Sequence, residues 1–181
     1  MEIERKFLID KIPESIDLSG LKCRRIEQGY LCTEPVVRVR RDNDDCYLTY
    51  KSKGLMVREE YNLPLTRAAY DKLIKKADGN IITKIRYEIP EKDNLTIELD
   101  IFEGRFAGLL LAEVEFSSEA EALSYTPPEW FGKDVTNDAA YHNSNMAGTI
   151  FYVMVFKHLK SSHNFYTFLP NMYTQIQKSM L

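Results

Sequence analysis

The chain of 181 residues is 44% hydrophobic and 28% charged, the composition of a globular protein long enough to bury a substantial core in one domain. Charged residues interrupt every apolar run, so no membrane partner is predicted. With a net charge of -3, from 24 basic and 27 acidic residues, the overall charge argues against a nucleic-acid partner, and any bound anion needs a local cluster.

The three cysteines, Cys23, Cys32 and Cys46, lack CxxC spacing. This usage is typical of a thiol-containing protein in the reducing cytoplasm rather than of a disulfide scaffold or a zinc site. No basic segment followed by an apolar core opens the chain, which indicates the same compartment. We therefore expect a cytoplasmic protein.

The first predicted strand, at residues 2–7, places Glu2, Glu4 and Lys6 on one face, because successive side chains of a strand point to opposite sides. A solvated edge strand would show the same pattern. Similar alternation recurs between turn residues, however, and predicts further strands at 24–32, 36–41, 46–53, 56–65, 81–89, 95–102 and 109–116.

Helices are predicted between and after these strands. Thr66 is suited to cap a helix that runs to residue 77, and Gly79 is suited to a left-handed cap at its end. Ser118 with Glu121 resembles a capping box for a short helix. A second short helix is expected to end near Met146.

Each predicted strand with a charged face carries apolar residues on the other. The acids on the charged faces are Glu2, Glu4, Glu60, Glu98, Asp100, Glu113 and Glu115. The bases are Lys6, Arg38, Arg40, Lys51, Lys53, Arg58, Lys84 and Arg86. Bases dominate the third and fourth strands, whereas carboxylates dominate the first, seventh and eighth.

Two architectures satisfy this pattern, and both are mainly β with peripheral helices. An open antiparallel sheet with one face in water is the commoner solution. A closed eight-stranded antiparallel β-barrel, with its apolar face outward under the helices, would remove both sheet edges and form a charged tunnel. Such a tunnel needs interleaved charges and ligands that neutralise the excess.

The segregation of acids from bases favours a ligand with two kinds of partner. Arginine matches phosphate oxygens in a bidentate manner, and carboxylates supply the hard oxygen ligands that Mg²⁺ or Mn²⁺ prefers. The pattern therefore indicates a small-molecule triphosphate substrate bound together with a divalent cation.

An ordered series of motifs carries a family resemblance. The opening EIERK at 2–6 resembles the ExExK signature of the CYTH, or triphosphate tunnel metalloenzyme, superfamily. The match continues through QGY at 28–30, VRVR at 37–40, YKSKG at 50–54, KIRY at 84–87, IELD at 97–100, AEVEF at 112–116 and DVT at 134–136. The resemblance implies an eight-stranded barrel domain at 1–147. The stretch 148–181 has no counterpart and is expected to be a partly helical C-terminal appendage of unknown role.

The resemblance also implies roles for the matched residues. The Mg²⁺ or Mn²⁺ ligands would be Glu2, Glu4, Glu60, Glu113 and Glu115. The phosphates would be bound by Arg38, Arg40, Lys51, Lys53, Arg58, Lys84 and Arg86. Glu98 and Asp100 lie on the same wall and are equally suited to hold the basic residues in place. Many relatives have an acid where this chain has Asn62, which leaves a second metal position open.

The reaction is not fixed by the fold, because the superfamily includes tripolyphosphatases, thiamine and nucleoside triphosphatases, and class IV adenylate cyclases. We predict a metal-dependent hydrolase of inorganic tripolyphosphate that releases orthophosphate, since no feature is reserved for an adenine or thiazolium ring. The alternatives are a cyclase, a thiamine or nucleoside triphosphatase, and a binding module without turnover. Assembly as a homodimer is left open.

In short bacterial relatives, a lysine of the ExExK strand and a tyrosine are held to activate water, and Lys6 and Tyr30 match these positions. An ammonium cannot accept a proton, so the role requires neighbouring cations and desolvation to lower the pKa of Lys6. Alternatively, Lys6 binds phosphate, Tyr30 packs in the barrel wall, and the metal generates the hydroxide.

Overall fold

The computed structural model describes residues 2–148. The predicted appendage at 148–181 lies outside the described residues from residue 149 onward, and so its partly helical character stays a prediction.

The described part of the chain contains nine strands. They are β1 (Glu2–Leu8), β2 (Lys22–Thr33), β3 (Val36–Asp42), β4 (Asp45–Lys51), β5 (Val57–Arg58), β6 (Glu60–Leu65), β7 (Asp78–Pro90), β8 (Thr96–Phe102) and β9 (Leu110–Glu115). All eight predicted strands are present. The ninth arises because the predicted strand at 56–65 is interrupted at Glu59.

Short helices connect or follow the strands. The α-helices are α1 (Arg67–Leu73), α2 (Glu119–Ser124) and α3 (Asn143–Gly148). Single 3₁₀ turns lie at Leu18–Gly20, Ile74–Lys76, Lys92–Asn94, Gly104–Phe106 and Ala139–Tyr141. The predicted N-caps are confirmed, because the side chains of Thr66 and Ser118 accept hydrogen bonds from the backbone N–H groups of Ala69 and Glu121.

Two predicted boundaries are wrong. The fourth strand ends at Lys51, two residues early, so Lys53 lies in the following exposed loop. Gly79 does have positive φ, at 73°, but it belongs to β7 rather than to a helix cap. It lies where the register between β2 and β7 shifts, and a Cβ at this position would stand 2.3 Å from the Ala147 carbonyl oxygen. The left-handed conformation therefore serves a bulge and a close approach to α3.

The strands form one antiparallel sheet in the order β5-β1-β9-β8-β7-β2-β3-β4-β6. The two terminal strands of this order, β5 and β6, are separated in the chain only by Glu59. The backbone itself therefore joins the ends of the sheet into a nearly closed barrel, and Ser52 N–H fixes the junction by donating to the Glu59 carbonyl. The barrel, rather than the open sheet, is the correct architecture.

The apolar residues lie outside the barrel wall, as the alternation predicts. One cluster lies under α2 and includes Ile3, Phe7, Leu99, Val114 and Phe116. A second lies under α1, where Tyr70 packs on Val39 and Cys46. Burial of these faces stabilises the barrel by about 25 cal/mol per Å² of apolar surface removed from water. It leaves the opposite, charged faces to line the interior.

Within residues 2–148, no helix has both the length and the apolar character that crossing a bilayer requires.

Candidate active site

A cavity of about 350 Å³ lies inside the barrel. Every strand except β8 contributes at least one of the predicted catalytic, phosphate-binding or metal-binding side chains, and twelve of the fourteen such side chains reach the cavity or its wall. Those that line it are Glu2, Glu4, Lys6, Tyr30, Arg38, Arg40, Lys51, Arg58, Glu60, Arg86, Glu113 and Glu115.

The two remaining predicted residues do not line the cavity. Lys53 is exposed in the loop after β4, because the strand ends before it. Lys84 faces the barrel interior but is completely buried in an ion pair with Asp100, itself completely buried. Burial and the neighbouring Arg86 lower the pKa of Lys84 to about 8, although Asp100 acts in the opposite direction. Lys84 therefore belongs to the barrel's internal ion-pair network.

Carboxylates from β1 and β9 form one wall of the cavity. The register of these strands places Glu4 opposite Glu115 and Lys6 opposite Glu113. Burial raises the pKa of Glu115, and the nearby carboxylates, led by Glu2 and Glu98, raise it further. Within residues 2–148, Glu115 forms no ion pair. This part of the wall therefore carries negative charge that protein cations do not neutralise.

Arg58 of β5 and Lys51 of β4 form ion pairs with the carboxylates of β1. Arg58 Nε donates to Glu2 Oε2 at 2.8 Å and Arg58 Nη2 to Glu4 Oε1 at 2.8 Å. Lys51 Nζ lies 2.7 Å from Glu2 Oε1 and 2.5 Å from Glu60 Oε2. Burial and the adjacent Arg38 lower the pKa of Lys51 to about 8 despite these carboxylates. These pairs hold the β5–β6 junction against β1.

Arg38 and Arg40, on β3, form a cationic wall with little compensating charge. Arg40 Nε donates to the neutral amide oxygen of Gln28 at 3.0 Å, and within residues 2–148 Arg40 makes no ion pair. Burial, together with Arg38 and Arg86, lowers the pKa of Arg40 to about 10. Arg38 Nε is buried without a hydrogen-bond partner among the described residues, and its Nη2 lies 3.5 Å from Glu60. The two guanidinium groups are therefore available for an anionic ligand.

Lys6 and Tyr30 both line the cavity but have different partners. Lys6 Nζ contacts Glu4 Oε1 at 2.9 Å and also donates to Glu113. The Tyr30 hydroxyl accepts from Gln28 Nε2 at 2.9 Å. The dyad role requires neighbouring cations and desolvation to lower the pKa of Lys6, but the contacts act the other way: burial alone would lower it, and Glu113 and Glu4 outweigh burial and raise it. Lys6 is therefore an ammonium beside these two carboxylates.

Three residues whose roles the sequence left open, Glu98, Asp100 and Asn62, make defined contacts in the barrel. Asp100 holds Arg86 and Lys84, and Glu98 accepts from Arg24 Nη2 at 3.0 Å and also pairs with Arg86. Both carboxylates thus hold basic residues in place. Asn62 Nδ2 donates to Glu60 Oε1 at 2.9 Å, so the residue that departs from the family pattern orients a neighbouring carboxylate.

Some lining residues were missed from sequence. Arg24 shares the inward face of β2 with Tyr30, but the apolar Ile26 between them obscures the polar alternation. Asn143 and Ser144 reach the cavity from α3, far along the chain from the charged strands. Strand alternation offered no signal for these two residues, because their position depends on how α3 packs against the barrel.

The carboxylate set fits a hard divalent cation chemically. Among residues 2–148, no three acidic, histidine or cysteine side chains converge into a preformed metal cluster. Glu115 nevertheless lies unpaired among the carboxylates that raise its pKa. A divalent cation would relieve that repulsion, and oxygen donors are those that Mg²⁺ and Mn²⁺ prefer.

These features define a class of protein: an antiparallel β-barrel whose interior carries an arginine wall facing a carboxylate wall. The chain belongs to the CYTH domain family, which matches residues 1–139.

Relatives of established identity support this assignment. The chain is 37% identical over 152 residues to an inorganic triphosphatase of Nitrosomonas europaea, covering 82% of this chain and 98% of that protein. It is 35% identical over 150 residues to an inorganic triphosphatase of Acetivibrio thermocellus, covering 80% and 92%.

The solved structures agree in fold. The crystal structure of the inorganic triphosphatase NE1496 superimposes with a TM-score of 0.63 at 35% identity, covering 83% of this chain and 96% of that one. A protein from Hippeastrum, at 18% identity and a TM-score of 0.53, shares the fold over 68% of this chain and 83% of that one.

Proposed function

We propose that this protein is a metal-dependent hydrolase of inorganic triphosphate that releases orthophosphate. The observation that carries the proposal is the pair Arg38 and Arg40 at the cavity wall, the first buried and the second half-buried, both nearly without carboxylate partners. Bidentate guanidinium groups in this state favour phosphate oxygens. The names of the two relatives, both inorganic triphosphatases, support the same substrate.

The lining favours a substrate without an organic group. Among the residues that the structure describes around the cavity, only Tyr30 and Val36 offer an aromatic or aliphatic surface. A pocket for adenine or a thiazolium ring would need a broader apolar surface, because such rings are bound mainly by apolar and stacking contacts. Inorganic triphosphate needs only charge and hydrogen bonds.

Charge balance supports a divalent cation as a companion of the substrate. The described lining carries seven cationic and six anionic side chains, so its net charge is close to zero. The negative charge of a multiply charged anion and of the carboxylate wall together would exceed the positive charge of the lining. Glu2, Glu4, Glu113 and Glu115 would hold Mg²⁺ or Mn²⁺, with Glu60 nearby. When bound, such an ion supplies charge neutralisation of the phosphates and a Lewis acid for the reaction.

The chain's own residues would then position the reactants. Arg38, Arg40 and Arg86 would bind the phosphate oxygens, and Lys6 would contribute an ammonium on the opposite side. Water attacks the terminal phosphorus in line with the bridging oxygen, whose bond to that phosphorus breaks; the products are orthophosphate and pyrophosphate. Catalysis would come mainly from positioning and electrostatic stabilisation. The Tyr30 hydroxyl would orient or activate the water.

One assay distinguishes this proposal from its alternatives. Purified protein is incubated with tripolyphosphate, thiamine triphosphate or ATP, each with Mg²⁺ or Mn²⁺ and each with EDTA. We expect orthophosphate from tripolyphosphate, dependent on the metal. Pyrophosphate and cyclic AMP from ATP would identify a cyclase instead, preferred cleavage of thiamine triphosphate or ATP would identify an organic triphosphatase, and binding without product would identify a binding module.

We also propose a cytoplasmic location. Cys23, Cys32 and Cys46 are all free thiols, which suits a reducing compartment.

A further inference from the structure

Strand β1 changes its partner along one edge. β5 pairs only with Glu2 and Ile3, after which the chain around residues 132–136 takes over that edge. Leu8 N–H donates to the Lys133 carbonyl at 2.9 Å, and Val135 N–H donates to the Lys6 carbonyl at 2.9 Å. The stretch 132–136 therefore completes the pairing of β1 directly beside Lys6.

At Lys6 itself, a side chain replaces a backbone acceptor. The Lys6 N–H donates to Thr136 Oγ1 at 3.0 Å, within a buried environment. On its other side, the Thr136 carbonyl oxygen lies 3.0 Å from Nε2 of the buried His142. Thr136 is thereby fixed at both its hydroxyl and its backbone.

Asp134 orients that hydroxyl. Asp134 Oδ1 accepts from Thr136 Oγ1 at 2.6 Å and from Thr136 N–H at 2.8 Å. Its other oxygen, Oδ2, accepts from Arg5 Nη2 at 2.6 Å. Because the Thr136 hydroxyl donates its only proton to Asp134, its lone pairs face the Lys6 N–H. The contact to Lys6 is thus directional.

We propose that Thr136, oriented by Asp134, is a positioning residue for Lys6; the inference rests on the function proposed above. Among residues 2–148, Glu4 and Glu113 are the ion-pair partners of the Lys6 ammonium, and both would turn toward a divalent cation in the working enzyme. A lysine side chain has four rotatable bonds, so the ammonium can adopt several positions once the two carboxylates no longer bind it. A fixed Lys6 backbone then keeps the starting point and initial direction of the side chain constant, which limits the positions that the ammonium can reach.

The test compares Thr136→Val, which keeps the shape but removes the hydroxyl, with Thr136→Ser, which keeps the hydroxyl. Tripolyphosphate hydrolysis is measured with Mg²⁺. We expect kcat of the valine variant to fall by about 10- to 100-fold with KM within about twofold, because small displacements of a reacting group cost rate. The serine variant should retain at least about half of the wild-type kcat, since its hydrogen bond survives.

A matched control separates positioning from a general loss of stability. Thr66→Ala removes a threonine cap from α1, outside the barrel, and should lower the melting temperature while leaving kcat unchanged. The proposal is overturned if Thr136→Val keeps its kcat, if serine fails to rescue it, or if Thr66→Ala loses as much activity at a similar melting temperature.

A second measurement does not depend on turnover. The ¹⁵Nζ resonance of Lys6 is recorded in the wild type and both variants with Mg²⁺ and inorganic triphosphate present. We expect Thr136→Val, but not Thr136→Ser, to shift or broaden it. If the wild type releases no phosphate, the proposed function fails, and the resonance alone decides: an unchanged signal in Thr136→Val overturns the positioning role, and a selective change supports it.

Discussion

Arg86 binds Asp100 through two hydrogen bonds, Nε to Oδ1 at 2.7 Å and Nη2 to Oδ2 at 2.6 Å, in the interior of the barrel. The same carboxylate also pairs with the fully buried Lys84. Replacing Asp100 by Asn would leave the buried Lys84 without its counter-charge and remove one of the carboxylate partners of Arg86, so we expect the free energy of unfolding to fall by about 3–5 kcal/mol. Urea denaturation measures this loss.

The control for Asp100→Asn is Asp71→Asn on α1. Asp71 pairs with Arg67 at 2.9 Å, but both side chains are about half exposed. An exposed pair contributes less than about 1 kcal/mol. Equal effects of the two substitutions would contradict a structural role for the Asp100 network.

Arg40→Ala should weaken substrate binding more than it slows turnover. Arg40 faces the cavity and has no ion pair within residues 2–148, so its charge is available to phosphate. We expect KM for tripolyphosphate to rise by roughly tenfold or more, the effect of losing a charge-assisted hydrogen bond. Arg41→Ala, one residue along β3 on the opposite face, is the matched control and should leave KM unchanged.

Glu4→Ala and Glu115→Ala should each abolish metal-dependent phosphate release. Loss of a carboxylate that holds a Lewis-acidic ion removes several kcal/mol of transition-state stabilisation, a decrease of about a hundredfold or more. We also expect Mg²⁺ to raise the melting temperature of the wild type, and this rise should disappear in both variants. The exposed Glu14→Ala should behave like wild type, whereas full activity in the Glu4 and Glu115 double variant would refute the metal assignment.

Tyr30→Phe tests the tyrosine of the predicted dyad. If the hydroxyl orients or activates water, its removal should lower kcat by roughly 10- to 100-fold with little change in KM. Tyr70→Phe removes a comparable hydroxyl, bonded to Glu27 Oε1 at 2.8 Å beneath α1, and should not alter kcat. Equal kcat values for Tyr30→Phe and wild type would mean that Tyr30 only packs in the wall.

The lowered pKa of Lys84 predicts that the free energy of unfolding depends on pH. Because its pKa is lowered from 10.5 to about 8 in the folded state, the unfolded state binds more protons between these values. Stability of the wild type should therefore rise from pH 8 toward pH 10.5, by about 3 kcal/mol relative to Lys84→Met, since one pKa unit corresponds to about 1.4 kcal/mol. Urea melts of both proteins across this range measure the difference; parallel curves would contradict it.

Much of the barrel could be read from alternation along the chain. Side chains on a strand alternate between faces, so Arg38 and Arg40, or Glu113 and Glu115, share a side wherever the strand lies. The ordered motifs then selected the barrel over the open sheet. Lys53 was wrongly placed on a strand because the end of a strand depends on its partner. The pairing of β4 with β6 ends at Lys51 and Glu60, where Glu59 interrupts the predicted strand at 56–65.

The contacts of β1 show what alternation along a strand cannot predict. Strand alternation placed Glu2, Glu4 and Lys6 on one face of β1, because that placement needs only the local backbone. The pairing of Lys6 with Glu113, the ion pair of Lys84 with Asp100, and the hydrogen bond from the Lys6 N–H to Thr136 Oγ1 each join residues on different segments of the chain. Those contacts depend on register and closure of the barrel, and they determine which charges remain free for a ligand.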